Sequence, residues 1–372
     1  MNRPRPASRL RAEGLLMGAL RHPDNLAGLS PSGWTNVIRA ARSAGLLGRL
    51  GSRLGAAGVT DQIPAAPRAH LMSAQILAGA QHAEVRREVH QIWRTLQPLG
   101  VPVVLLKGAA YNLAGVSAAA GRMFNDIDIL VPKADLPEVE AALMLDGWAT
   151  THHSAYDQHY YRKWMHELPP MQHVQRGTVI DVHHAILPDT ARLKPASKKL
   201  LEAISPVTGM PGLYVLGPAD MVLHSMAHLF CNEEFSHGLR DLTDIDALLR
   251  EFGKRSGFWD ELAMRAADLG LQRPLYYGLQ QCAALLECPI PGATKQKVAA
   301  AAPPAPLRQL MDRLWRKVLA ATPPGSGGRP GSMADLLLLI RAHWLRMPLW
   351  LLGFHLCAKL FRGGETVPVK TP

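Results

Sequence analysis

Cysteine is scarce in this chain. Four thiols in 372 residues (Cys231, Cys282, Cys288 and Cys357) stand without close metal-ligand spacing. That excludes a disulfide-stapled scaffold and a cysteine-rich zinc module, and it fits a reducing cytoplasm. Aromatic residues make up only 6% of the chain, and they form no RNA-stacking motif. Acids are outnumbered, 30 against 41 Lys and Arg, for a formal net charge of +11. A basic surface suits nucleotides, nucleic acid or anionic membrane without choosing between them. Long hydrophobic runs are missing too. Residues 15–20 are apolar but interrupted by Gly18, with no small-residue cleavage pattern after them, so no signal peptide is expected. Residues 335–360 are interrupted by Arg341, Arg346, Pro348 and Lys359 and fall short of the ~20 apolar residues of a spanning helix. They read as terminal core helices, with peripheral membrane contact through 335–361 as the alternative. The expected location is cytoplasmic, with a membrane-peripheral one as the variant. No internal repeat occurs.

What is present is enough to build a core. Apolar residues are 48% of the chain, which argues against wholesale disorder. The first hundred residues read as helices over 10–21, 32–54 with Ser32 as N-cap, and 67–99. In the last of these Leu71, Ile76, Leu77, Val85, Val89, Ile92 and Leu96 form an approximate helical stripe, ended by Gly100. Residues 101–106 form an apolar run, half of it β-branched, as in a buried strand, and 126–131 make a second strand stopped by Pro132. A helix over 136–146 follows, then strand candidates at 148–153, 159–165 and 179–183. Helical spacing returns over 218–230, 239–252, 259–269 and 274–286, while 289–306 and 323–332 are rich in Pro with Ala or Gly and read as linkers. The fold class is therefore α+β, a small mixed sheet with N-terminal helices and a C-terminal helical domain. The expected division is 1–99 helical, 100–215 the sheet core, 216–290 a helical domain, and 291–372 linkers and C-terminal helices.

The most informative stretch is Lys107-Gly108-Ala109, a glycine turn after an apolar run, followed by Asp126-Ile127-Asp128-Ile129 inside a second apolar run. Alternate residues of a strand share a face, so Asp126 and Asp128 project together. Two adjacent carboxylates repel each other unless a cation sits between them. Hard divalent ions such as Mg²⁺ take oxygen ligands and often bridge carboxylates to substrate phosphates. Gly108 allows close backbone approach to a phosphate, and the helix that follows offers free N–H groups. Two solvated surface acids would be the plain alternative, but the apolar frame around both argues against it. Asp181 and His183 likewise share one face of the third strand.

These residues resemble the signature of the nucleotidyltransferase (polymerase beta-like) superfamily, an apolar residue, Gly and a small residue, then Asp-apolar-Asp-apolar. Arg122, four residues before Asp126, and the long spacer 110–125 narrow the likeness to the uncharacterised bacterial nucleotidyltransferase family. Ala109 departs from the Ser or Gly of many members. The likeness extends through Ile180-Asp181-Val182-His183, residues 224–228 and residues 239–245, covering about 10–290. It implies transfer of an NMP group from an NTP, ATP among the candidates, to an acceptor hydroxyl with release of pyrophosphate. Two Mg²⁺ ions, or Mn²⁺ in their place, would sit on Asp126, Asp128 and Asp181. Lys107, Gly108, Ala109 and Arg122 would bind the nucleotide, Arg122 through the triphosphate or by bracing Asp126. His183 and Arg240 would meet substrate, His183 alternatively bonding Asp181. The acceptor could be a small molecule, a peptide or a protein, and nucleic acid is left open by charge alone.

Other clusters read as less specific. His224 and His228 share a helix face, but Ser225 stands where a zinc peptidase motif carries Glu, so they are expected to pack in the structure. The pairs His152-His153 and His166-Glu167 carry no diagnostic spacing. The alternative function is a catalytically weak nucleotide-binding partner of a biosynthetic or membrane-associated complex, which Ala109 and the basic, Trp-containing tail allow.

Overall fold

The computed structural model describes residues 6–26, 28–151, 161–162, 164–320 and 332–348. Four helices open the chain: α1 (Pro6–Arg21), α2 (Pro31–Ser43), α3 (Leu47–Ala56) and α4 (Ala65–Leu96). The single helix expected over 32–54 is two. Ser30, not Ser32, is the N-cap, its Oγ accepting from the Gly33 N–H at 3.2 Å, and Gly45 turns the chain between them with φ +67°. Along α4 the buried stripe is narrower than its sequence implies. Leu71, Val85, Val89, Ile92 and Leu96 are buried, whereas Ile76 and Leu77 are 69% and 61% exposed. The cause lies in α3, whose Gly48 and Gly51 admit the Ala74 carbonyl and the Gln75 side chain, so residues 71, 74, 75 and 78 face α3 while 76 and 77 turn outward.

A seven-stranded sheet follows, ordered β3-β4-β5-β2-β1-β7-β6. Its strands are β1 (Val103–Leu105), β2 (Ile127–Leu130), β3 (Trp148–Thr150), β4 (Met171–His173), β5 (Val179–His183), β6 (Ile204–Pro206) and β7 (Leu213–Leu216). The sheet is mixed, since β1 is antiparallel to β2 and parallel to β7, and β2 is parallel to β5. Helix α5 (Lys107–Ala114) leaves the end of β1, and α6 (Leu136–Leu145) joins β2 to β3. Strands β6 and β7 are only three and four residues long, too short for an alternating pattern to mark them, and Gly209, Pro211 and Gly212 in the segment between them read as turn. Of the strand candidate at 159–165, Tyr161, Arg162 and Trp164 are helical, and 159, 160 and 163 lie outside the described residues.

The remainder is helical: α7 (Ser197–Leu201), α8 (Pro218–Cys231), α9 (Gly238–Phe252), α10 (Phe258–Asp268), α11 (Gln272–Leu286), α12 (Gly292–Ala299), α13 (Ala305–Ala320) and α14 (Met333–Arg346). The expected linker 289–306 thus contains α12, which buries Thr294 and Val298. Most of the second linker, residues 323–331, and the end of the C-terminal stretch, residues 349–360, lie outside the described residues. Among the described residues no helix is long and apolar enough to cross a membrane. Helix α14 buries Ala334, Leu338 and Ala342 and exposes Ile340 and Trp344.

One contact sets how α3 meets the loop before β2. A Cβ on Gly48 would lie 2.5 Å from the Gly121 carbonyl oxygen, and one on Gly121 would lie 2.3 Å from the Gly48 carbonyl carbon. Backbone cannot retreat as a flexible side chain can. Gly48→Ala is therefore expected to destabilise the protein by about 1–3 kcal/mol or more, measured by urea unfolding. Gly18→Ala, where an added Cβ meets nothing within 4 Å, is expected to be neutral or mildly stabilising.

Candidate metal and nucleotide site

Strands β2 and β5 run parallel with Asp128 opposite Asp181, and with Leu130 opposite His183. Adjacent strands lie ~4.8 Å apart, so this register sets the two carboxylates side by side. Asp126, two residues before Asp128, projects to the same side. One oxygen from each of Asp126, Asp128 and Asp181 lies within 4.8 Å of the others.

The three carboxyls differ sharply in environment. Asp128 is 2% exposed. Its Oδ1 accepts from Lys107 Nζ at 2.7 Å and from His183 Nε2 at 3.0 Å. Burial is the largest influence on Asp128 and acts upward, but Lys107 and His183 together outweigh it and hold the carboxyl well below its usual range. The Asp126 carboxyl is raised, first by the charge of Asp128 and then by burial. Burial and then Asp128 push Asp181 up to about 7. Asp181 Oδ1 is buried and has no hydrogen-bond partner among the described residues. Two raised acids around a third that is ionised, with a buried oxygen lacking a donor, are the donor set that a hard divalent cation satisfies.

Lys107 opens α5 with φ +44°, a left-handed conformation unusual for a side chain bearing Cβ. Its bond to Asp128 anchors that geometry. The need for glycine at 108 is steric: a Cβ there would lie 2.2 Å from Phe124 Cδ1 and 2.3 Å from Arg122 Nη1. Ala109 is 1% exposed. The first three N–H groups of α5 have no intrahelical carbonyl partner, as at any helix start.

Arg122 takes a partner that the sequence did not indicate. Its Nε donates to Asp244 Oδ2 at 2.7 Å, and its guanidinium lies 5.1 Å from the Phe124 ring centroid. The other Asp244 oxygen accepts from Arg49 Nη2. Beside it, Asp246 accepts from Arg53 at 2.7 Å and from Arg250 at 2.8 Å. These pairs join α3, the loop before β2 and α9. His183 bonds neither Asp181 nor an open surface, but bridges Asp128 and Glu167, its Nδ1 lying 3.1 Å from Glu167 Oε2. Burial acts downward on the His183 imidazole, yet the two carboxylates prevail and raise it. Arg240 donates to Asp241 Oδ1 at 3.1 Å from both Nε and Nη2.

A cleft runs beside Asp126. Lys107, Arg122 and Asn125 line it from the sheet side, and His228, Asn232 and Arg240 from the α8–α9 side. His224 is 4% exposed, and His228 Nδ1 lies 3.9 Å from Asp241 Oδ2. Among the described residues neither histidine belongs to a group with metal-ligand geometry. Burial drives His224 down to about 3 and His228 well below its usual value, so both are neutral in the folded protein. The unfolded chain takes up protons near pH 6.5 that the folded one refuses until far lower pH. The stability that His224 contributes is thus complete above pH 6.5 and lost as pH falls towards 3. The slope approaches ~1.4 kcal/mol per pH unit per histidine. His224→Gln should reduce the slope of unfolding free energy against pH by about that amount. Comparing the two slopes separates the histidine from carboxylates titrating in the same range.

Glu167 and His166 escaped the sequence reading because their pairing is long-range. An isolated antiparallel bridge sets Glu167 against His183, and the His184 N–H donates to the His166 carbonyl at 2.8 Å. The spacing of His166-Glu167 carries no signal of this.

No curated protein and no solved structure matches the chain. The model of a family described as uncharacterised nucleotidyltransferase matches residues 30–287, which is more than half the chain and spans the sheet, the three aspartates and α8 to α11. With a Lys-Gly turn, a converging aspartate triad and this match, the chain belongs to that nucleotidyltransferase family and is a transferase.

Proposed function

We propose that the protein moves an NMP group from an NTP to an acceptor hydroxyl with release of pyrophosphate, and that Asp126, Asp128 and Asp181 hold two Mg²⁺ ions. Mn²⁺ would serve in the same place. The observation that carries this reading is the in-register pairing of β2 with β5, which sets Asp181 beside Asp128 while one Asp181 oxygen stays buried without a donor among the described residues. Bound there, the cations would polarise the α-phosphate and offset charge on the leaving pyrophosphate.

The chain supplies the remaining functions. Lys107 and Arg240 both line the cleft and would attract the triphosphate. The N–H groups of Gly108 and Ala109, at the start of α5, favour an anion through the helix dipole. Arg122 shapes the same wall while its charge is held by Asp244. His183 orients Asp128 through its Nε2–H. Asp181, raised by burial and by Asp128 while no cation offsets them, would be held ionised by a bound cation and would then be free to accept the acceptor's proton. The α8–α9 wall excludes water and bounds the acceptor pocket.

The test is incubation of the full-length protein with all four NTPs and Mg²⁺, following pyrophosphate release and the mass of candidate small-molecule, peptide and protein acceptors. A mass gain of one NMP less water, dependent on Mg²⁺, is the expected result. Nucleotide binding without Mg²⁺-dependent turnover of any NTP would instead favour a non-catalytic nucleotide-binding partner.

A further inference from the structure

A second cluster with metal-ligand geometry lies next to the aspartates and shares no residue with them. His166, Glu167 and His183 each place one ligand atom within 4.8 Å of the other two. Glu167 and His183 are fixed opposite one another by the β-bridge at the end of β5. His166 precedes Glu167, and its ring centroid lies 5.3 Å from that of His183. His166 Nδ1 is buried and has no hydrogen-bond partner among the described residues. A buried imidazole nitrogen without a partner is an exception that asks for a ligand.

We propose that His166, Glu167 and His183 bind a divalent transition-metal ion of the zinc type, distinct from the ions assigned to the three aspartates. Two imidazole nitrogens, which are borderline donors, with one carboxylate oxygen make a set that suits zinc, whereas hard Mg²⁺ prefers oxygens alone. Metal bonds of about 2.0–2.1 Å in a tetrahedron put neighbouring ligand atoms about 3.3 Å apart. His183 Nδ1 and Glu167 Oε2 are already 3.1 Å apart. The widest separation in the cluster needs to close by at most about 1.5 Å, which a rotation of the His166 ring supplies. The metal replaces the proton between His183 Nδ1 and Glu167, and that proton leaves to solvent. His183 keeps its other N–H on Asp128, at 3.0 Å. A metal-bound histidine commonly donates its second N–H to a carboxylate, which fixes ring orientation and tautomer. Here that carboxylate is Asp128, so the two centres are joined by one hydrogen bond. Three protein ligands leave a fourth position for water or for an oxygen or nitrogen of a substrate.

The test uses the full-length protein, stripped with chelator, then titrated with Zn²⁺ by calorimetry and with Co²⁺ by visible absorption in the presence of excess Mg²⁺. One equivalent is expected to bind, with the intense Co²⁺ bands of tetrahedral coordination. His166→Phe keeps the ring but removes its nitrogens, and Glu167→Gln keeps the shape but removes the charge. Each is expected to weaken binding at least about a hundredfold. Asp126→Asn, which alters the aspartate site alone, is expected to leave it within a few-fold. Failure of the parent protein to bind overturns the proposal. So does binding that survives either His166→Phe or Glu167→Gln in a variant folded by circular dichroism, or that disappears with Asp126→Asn. The last result would place the ion among the aspartates and leave His183 as a protonated bridge between Asp128 and Glu167.

Discussion

Asp128→Asn is expected to lower Mg²⁺-dependent NTP turnover by at least a hundred- to thousandfold while the protein stays folded. Asp128 is the most buried of the three aspartates and the one held ionised, by Lys107 at 2.7 Å and His183 at 3.0 Å. Asn keeps the shape and one acceptor oxygen but removes the charge that a cation requires. The loss falls on the transition state, where charge on the transferring phosphoryl group must be balanced, so kcat should fall far more than NTP affinity. Single-turnover kinetics and nucleotide binding, measured on the same preparation, check this. Turnover unchanged in the variant would remove the aspartate site from the chemistry.

The largest effect on stability is expected from Asp244→Asn. Asp244 is buried between Arg49 and Arg122, whose side chains are 4% and 9% exposed. Neither guanidinium can lose its proton, and the substitution leaves both buried beside a neutral amide. Breaking a buried charge cluster from one side costs about 3–5 kcal/mol, read as a shift in the urea midpoint. Removing an exposed pair is a fitting control. Lys297 and Asp260 meet at 2.6 Å but are 53% and 65% exposed, and Lys297→Ala should cost less than about 1 kcal/mol.

Much of this site was legible because its signals are local. Asp126 and Asp128 sit two apart in an apolar frame, and the alternation of β5 put Asp181 and His183 on one face; parallel pairing of β2 and β5 then brought the two faces together. The helices after Pro218 carry strong apolar periodicity and lie close to where it put them. Features that depend on distant partners were not legible. Nothing near Arg122 announces Asp244, 122 residues later, and nothing in His166-Glu167 announces His183. Residues 32–54 read as one helix because Gly45 was outweighed by the apolar residues around it, and its left-handed backbone ends α2. Ile76 and Leu77 fit the helical stripe of α4 but face outward, since two glycines in α3 decide which row of α4 is covered. The role of Gly108 also has a steric side that spacing cannot reveal, its contact with Arg122 and Phe124.

The arginine–aspartate bridge also bears on how the chain is made. Arg49 leaves the ribosome 195 residues ahead of Asp244. At ~5–20 residues per second, that is a delay of roughly 10–40 s. Through that interval Arg49 and then Arg122 have no Asp244 to enter the interior with. An unpaired guanidinium is costly to bury, so the native burial of Arg49 and Arg122 is unfavourable until Asp244 is present. When α9 appears, one carboxylate pairs with both. The cleft wall that Arg122 and Asp244 share therefore depends on residues encoded 122 positions apart, and its native form requires the later of them.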